Sequence, residues 1–293
     1  MDNTDKNISF VLPTGKRIVL FVCLAAFCYI LANLLAGLLI YFKGPSTSVL
    51  RIVAVIQDVI VFVLPVIITA ILITRLPARL LCIENKPDGT TAVLACLALL
   101  LFIPAMNALV AWNESITLPQ GLAELENWMR QSEESAREMV VAMIGGRSVG
   151  NIILAFLIVA VFAGFSEELF FRGGLQRLLT TTGMNAHEAI WFVAFIFSAT
   201  HLQFYGFFGR LLIGAYLGYL LWWSRSLWIP IIVHIFNNAV YLCGVEVYGL
   251  ENNELDMLGA DCWWLICLSV ILTAGCLVLV KKRCGARKQF KKS

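Results

Sequence analysis

The sequence predicts an all-α fold: a polytopic membrane bundle of about eight transmembrane helices plus one amphipathic interfacial helix. Of the residues, 60% are hydrophobic and 14% are charged, and the mean hydropathy is +0.83. Soluble domains are only about 45–50% apolar and about 25% charged. Apolar runs of roughly 20 residues, the length that crosses a bilayer as a helix, recur along the chain. They predict spans at residues 17–42, 50–74, 91–112, 150–172, 186–204, 209–223, 227–246 and 262–280.

The distribution of lysine and arginine predicts how these spans are oriented. Cytoplasmic loops beside membrane helices carry an excess of these two residues. Most of the 22 Lys and Arg residues fall on the same side as the N-terminus, and they include the basic tail after the last span. We therefore expect a multi-pass protein of the plasma (inner) membrane with both termini in the cytoplasm. The lipid bilayer is its expected partner, and we expect no nucleic-acid partner.

The polar residues divide the chain into three regions. Residues 1–149 contain three spans and the amphipathic helix, residues 150–246 contain most of the intramembrane polar side chains, and residues 247–293 contain the last span and the basic tail. Asp58, in the second span, has no evident partner in the sequence. We expect it to be structural or interfacial, with a place in a cavity as the alternative.

The amphipathic helix is predicted at about residues 117–144. Thr117 and Gln120 match a capping box, and apolar residues recur at spacings of three to four positions. A stripe of this kind lies on a membrane surface or across a bundle. We expect a packed connector, with a substrate gate as the alternative.

The most informative residues are two adjacent glutamates inside the fourth predicted span. An intramembrane carboxylate is costly unless something neutralises it, so Glu167 and Glu168 mark a functional site. On a helix, Glu168 and Arg172 are four residues apart and can pair, whereas Glu167 points about 100° away. We therefore predict that Glu168 and Arg172 form a structural ion pair and that Glu167 keeps a reactive carboxylate, able to act as a base.

Two histidines are predicted to reach the level of Glu167. The segment Gly183-Met184-Asn185 predicts a turn, and a helical hairpin that turns at residue 184 places residue 167 opposite His201. Counting from the basic residues at the inner interface, Glu167 and His234 both lie on the order of 15 Å deep. Three polar side chains from three helices therefore converge.

A second pair follows on the seventh predicted span. His234 and Asn238 share one helix face, and an imidazole with a carboxamide can donate hydrogen bonds to an oxyanion. His187, at the inner start of the fifth span, is expected to be solvated or to cap the helix. From the residues alone, catalysis and a satisfied interhelical hydrogen-bond network both remain open.

Three motifs between about residues 150 and 245 resemble the signature of the CPBP family, the CAAX proteases and bacteriocin-processing enzymes also called the Abi family: Glu167-Glu168-x-x-x-Arg172, Phe197-x-x-x-His201 and His234-x-x-x-Asn238.

These enzymes are intramembrane endopeptidases. The resemblance implies an eight-helix bundle with a cavity open towards the cytoplasm. In it, Glu167 and His201 would activate a water, His234 and Asn238 would stabilise the oxyanion, and the ion pair would hold the architecture. The implied substrate is a peptide or membrane-anchored protein, such as a prenylated tail or a leader peptide.

The resemblance leaves two alternatives for the cofactor, because this family has been described both as zinc-dependent and as metal-free. Glu167, His201 and His234 can supply the three N/O ligands of a catalytic zinc. Against zinc, the sequence lacks an H-E-x-x-H pairing, and Glu167 cannot easily be both ligand and base. We expect no cofactor, with zinc as the alternative. A transporter that uses the acidic pair as a proton relay and a non-catalytic immunity protein are the competing functions.

Overall fold

The computed structural model describes residues 8–146, 148–248 and 262–290. Parts of the predicted regions 1–149 and 247–293, including the end of the basic tail, lie outside the described residues. The described chain is helical, with one isolated β-bridge between Phe10 and Thr74 and no strand. The main helices are α1 Thr14–Lys43, α2 Thr47–Ile73, α3 Gly89–Glu114, α4 Ala123–Ile144, α5 Val149–Thr181, α6 Ala186–Thr200, α7 Phe207–Ser224, α8 Trp228–Tyr248 and α9 Trp263–Phe290.

Six of these helices are long and apolar enough to cross a membrane, namely α1, α2, α3, α5, α8 and α9. The predicted all-α, multi-pass membrane bundle is confirmed. The predicted spans 186–204 and 209–223 differ from the other six. Helix α6 has only 15 residues, and α7 has 18 residues with Arg210 near its start.

The amphipathic helix α4 begins later than the sequence predicted. A 3₁₀ turn covers Gln120–Leu122 and the α-helix starts at Ala123, so Thr117 and Gln120 do not cap it. At its other end, the Arg51 guanidinium of α2 donates to the carbonyl oxygens of Met143 at 2.8 Å and Ile144 at 2.7 Å. These carbonyls lack intrahelical partners, so Arg51 fixes the end of α4 to the bundle.

Helices α3 and α9 are joined at the end where α3 begins. Asp88 caps α3 by accepting from the backbone N–H of Thr91 at 3.0 Å and from its hydroxyl at 2.7 Å. Arg283 of α9 donates to the same carboxylate at 2.6 Å. The hydrogen bond from Arg283, together with those from Thr91, holds the pKa of Asp88 well below its usual range.

Small residues let α5, α6, α7 and α8 approach closely around the polar region. A Cβ on Gly164 of α5 would lie 3.2 Å from the backbone nitrogen of Ile235 in α8, and one on Gly214 of α7 would lie 3.2 Å from the Cα of Ala194 in α6. Close backbone approach of this kind is typical of membrane helix pairs. A buried apolar cluster packs beside the site: Phe171, Leu179, Ala189, Val193 and Phe197.

Candidate active site

Glu168 and Arg172 of α5 form an ion pair that is completely buried, with both side chains 0% exposed. One guanidinium nitrogen of Arg172 donates to Glu168, and the other donates to the Gly214 carbonyl of α7 at 2.8 Å. The guanidinium also lies 4.7 Å from the ring centroid of Phe197 in α6. Since buried charges persist only when they are paired and hydrogen-bonded, this pair fixes α5 against two neighbouring helices.

His234 of α8 joins the same carboxylate. Its Nδ1 lies 2.8 Å from Glu168 Oε1, and its Nε2 lies 3.7 Å from Glu167 Oε2. A carboxylate oxygen accepts and does not donate, so Nδ1 carries the hydrogen, and Nε2 is the ring atom that faces Glu167. Glu168 therefore orients His234 as well as pairing with Arg172. The sequence analysis did not predict this contact, which depends on the approach of α8 to α5.

His201 follows the last residue of α6, where helix carbonyls lack N–H partners. The Phe197 carbonyl oxygen, one turn earlier, lies 2.7 Å from His201 Nδ1. Because a carbonyl oxygen only accepts, Nδ1 carries the hydrogen and Nε2 keeps its lone pair. The end of the helix therefore holds His201 in the tautomer that can accept a proton or a hydrogen bond from water through Nε2.

The Phe197 ring contacts both histidines of the site. Its centroid is 4.9 Å from the His201 ring and 5.8 Å from the His234 ring. His201 also interacts electrostatically with Glu167 and with His234. The structure thus brings together side chains from α5, α6 and α8 that the hairpin argument placed at one depth. Glu167 is 15% exposed at its side chain, and His234 is almost completely buried.

Asn238 lies one turn after His234 on α8, as the i, i+4 spacing predicted. Its amide donates to the Val159 carbonyl of α5 at 3.3 Å. Val159 belongs to a π-helical segment, Phe156–Phe162, and widened turns of this kind occur often at functional sites. One hydrogen of the Asn238 amide is engaged there, and an amide NH₂ has a second one to donate.

Asp58, which was expected to be structural or interfacial, lies in the wall of a pocket, the place given as the alternative. It lies at the start of a π-helical segment of α2, Asp58–Val63, where its carboxyl group interacts electrostatically with Glu167. A signal was present, since Asp58 is an acid inside an apolar span. What the sequence could not supply was the partner, which belongs to another helix.

A pocket of about 290 Å³ begins one helical turn from Glu167. It lies between α1, α2 and α5, beside the end of α4. Its polar wall carries Asn33, Gln57 and Asp58, and the other lining residues are Tyr29, Ala54, Val61, Phe62, Met143, Ile158, Val159 and Ala163.

The arrangement of the donor atoms bears on the zinc alternative. Within residues 8–146, 148–248 and 262–290, no group of three or more His, Cys, Asp or Glu side chains is arranged to hold a metal ion. Glu167, His201 and His234, the alternative ligand set, therefore do not fit zinc in this arrangement. Hydrolysis without a cofactor stays a prediction.

The fold and site together define a class of protein, a polytopic membrane protein with a buried glutamate and histidine centre. Residues 149–240 match the family model described as Rce1-like, the type II CAAX prenyl endopeptidases. The match covers about a third of the chain and supports the resemblance to the CAAX-protease (CPBP) family that the motifs predicted.

One curated relative is an uncharacterized protein, YpbD of Bacillus subtilis (strain 168), which is 28% identical over 114 residues. The match covers 38% of this chain and 53% of the relative, so the chain spans about half the length of that protein. No solved structure matches the chain.

Proposed function

We propose that this protein is an intramembrane endopeptidase that hydrolyses a peptide bond with a water activated by Glu167 and His201. The family match supports a peptidase of the CAAX-protease type. The observation that carries the finer proposal is the orientation of His201, whose Nδ1–H is donated to the Phe197 carbonyl. Its Nε2 lone pair is therefore available in a site where Glu167 supplies the carboxylate.

The proposed reaction assigns one role to each side chain. A water between Glu167 and His201 gives one proton to the Glu167 carboxylate, while His201 Nε2 accepts the hydrogen bond from the other hydrogen. The water oxygen attacks the scissile carbonyl carbon, and the resulting oxyanion accepts hydrogen bonds from Asn238 Nδ2–H and from Nε2–H of His234 in its doubly protonated form, whose Nδ1–H stays on Glu168. The C–N bond breaks as Glu167 returns the proton to the leaving nitrogen.

The position of the site supports a substrate that is itself held in the membrane. The Glu168–Arg172 pair and His234 are buried in the bundle, and the neighbouring pocket is lined mainly by apolar side chains. We propose a peptide or membrane-anchored protein substrate, a prenylated tail or a leader peptide, cut near the cytoplasmic leaflet. The proposed location is the plasma (inner) membrane, with both termini in the cytoplasm.

The proposal is tested in liposomes with Glu167→Ala and His201→Ala. Both variants should abolish cleavage while the far-UV circular dichroism of the purified protein stays unchanged. The chain offers matched controls in His187 and Glu188, which are both exposed at the start of α6. His187→Ala and Glu188→Ala should leave cleavage at the wild-type rate.

A proteome-wide comparison identifies the substrate. Membrane peptides that appear with the wild-type protein and disappear with Glu167→Ala are the products. If Glu167→Ala leaves every peptide unchanged and instead abolishes ion-coupled uptake, the transporter function replaces this proposal. Metal analysis of the active protein is the separate test of the cofactor: one zinc per chain with chelator-sensitive cleavage would contradict the metal-free mechanism.

A further inference from the structure

The residue that follows His201 has a backbone conformation that needs support from its surroundings. Leu202, the next residue, has φ of +54°, in the left-handed region that branched side chains of L-residues adopt only at a cost. Residues in such conformations persist when the structure around them fixes them. The loop from Leu202 to Gly206 therefore requires contacts that hold it, and with it the orientation of His201.

Those contacts come from the amphipathic helix α4. Glu133 accepts a hydrogen bond from the Gln203 side chain at 3.2 Å and one from the Tyr205 backbone N–H at 3.3 Å. Thus both oxygens of one carboxylate bind the loop, at the second and fourth residues after His201.

Two further contacts that involve aromatic rings join α4 to the same loop. The Trp128 ring packs on Phe204 with centroids 5.2 Å apart, and the Arg130 guanidinium lies 4.8 Å from the Tyr205 ring centroid. Glu133, one turn after Arg130 on α4, binds the loop through hydrogen bonds.

Charge supports the same role for Glu133. Arg210 lies in the first turn of α7, where a cation is unfavourable because the helix dipole is positive there. Its guanidinium donates to the Gln203 carbonyl oxygen, and it interacts electrostatically with both His201 and Glu133. Glu133 therefore places a negative charge near this cation, and the two residues both bind Gln203, Glu133 at its side chain and Arg210 at its carbonyl oxygen.

We infer that Glu133 is a positioning residue for His201, acting through the 202–206 loop rather than by contact with the substrate. The inference rests on the proposed function, in which His201 Nε2 holds the water. Helix α4 is then more than the packed connector predicted from the sequence, because one of its carboxylates sets the geometry of the reacting histidine.

The first test measures the ring tautomer of His201 directly. The chain has three histidines, so ¹⁵N-histidine labelling of the full chain in detergent micelles gives three ring spectra, and His201→Ala identifies the one that belongs to His201. Wild-type His201 should show a single Nδ1–H tautomer. Glu133→Ala should give a mixture of tautomers at His201 and leave His187 and His234 unchanged, whereas Glu134→Ala, an exposed neighbour of equal charge, should change none.

The second test measures cleavage of an internally quenched peptide with a prenylated Cys-a-a-X tail in liposomes. Glu133→Ala should lower kcat by roughly 10- to 100-fold, the scale of a catalytic group displaced by about 1 Å, and leave KM within about twofold. Glu133→Gln, which keeps one acceptor oxygen and serves if the alanine variant does not fold, should recover part of kcat. In a His201→Ala background, Glu133→Ala should add no further loss.

The inference and the proposed function fail separately. If His201→Ala abolishes cleavage while Glu133→Ala leaves kcat and the His201 spectrum unchanged, Glu133 has no positioning role and the hydrolase proposal stands. A rise in KM alone, with an unchanged His201 spectrum, also overturns the inference. If the wild-type protein cleaves no peptide, the proposed function fails, and the His201 spectra still decide whether Glu133 fixes the ring.

Discussion

Removing the arginine of the buried ion pair should be among the most destabilising single changes in this chain. Arg172→Met keeps an unbranched apolar stem but leaves the Glu168 carboxylate in a place where both side chains are 0% exposed. Breaking a buried pair on one side costs about 3–5 kcal/mol, because the remaining charge is uncompensated. The lost hydrogen bond to the Gly214 carbonyl lies within that figure. We therefore expect the free energy of unfolding to fall by about 3–5 kcal/mol.

A double variant separates the charge from the packing. Glu168→Gln combined with Arg172→Met removes both charges and keeps an amide oxygen for the His234 Nδ1–H. Replacing both members of a buried ion pair is often nearly neutral, so the double variant should lose less than about 2 kcal/mol. The expected effects are strongly non-additive, as befits residues in direct contact.

The assay is reversible unfolding by SDS titration in mixed micelles, followed by far-UV circular dichroism. Arg75, which is exposed, provides the control, and Arg75→Met should stay within about 0.5 kcal/mol of wild type. The reasoning is refuted if Arg172→Met unfolds as wild type does and yet stops cleavage. That pair of results would make Arg172 part of the chemistry rather than of the architecture.

Three further variants test other parts of the structure. Asp88→Ala should destabilise the protein by about 1–2 kcal/mol at pH 7, through the lost cap of α3 and the lost pair with Arg283. Because the folded-state pKa of Asp88 is depressed, this contribution is complete above the unfolded pKa of about 3.9 and disappears as the pH falls through the lower folded value. Gly218→Ala should cost about 1–3 kcal/mol, because its Cβ would lie 2.9 Å from an Ile190 methyl group. Phe197→Leu should lower kcat by roughly tenfold or more, because the Phe197 ring contacts both site histidines and a misplaced catalytic group has an effect of this size. KM should change little.

Each of these variants has a measurement that can contradict it. For Asp88→Ala, a stability difference that persists down to pH 1 contradicts the assignment of the pKa shift. Unchanged SDS unfolding of Gly218→Ala contradicts the close approach of α6 and α7. For Phe197, the control is Phe195→Leu, at a ring that is 52% exposed, and equal kinetics for the two variants would remove Phe197 from the centre of the site.

How far the sequence could predict this structure depends on whether a contact is local. The Glu168–Arg172 pair follows from helical spacing, and the level of His201 follows from the turn near residue 184. The bond between Glu168 and His234 depends on α8 approaching α5 at Gly164, which periodicity does not encode. The tautomer of His201 depends on α6 ending at Thr200, whereas the apolar run predicted a span that continues to residue 204.

The contacts of residues outside the motifs were harder to predict from the sequence. Glu133 lies on a helix that polarity places at the surface, and its partners are about 70 positions later in the chain. An amphipathic pattern shows which face packs, but it does not show what that face packs against. Asp58 raises the same difficulty within the membrane, since only the folded bundle brings it beside Glu167.

The shortness of α6 has a consequence for the lipid. A helix of 15 residues is about 22 Å long, while the hydrocarbon layer of a typical bilayer is about 30 Å thick. The bilayer must therefore become thinner around α6, or headgroups and solvent must move inward to meet its end. Bilayer thickness thus becomes a variable that acts on this protein from outside, and shorter-chain lipids should suit it better than longer ones.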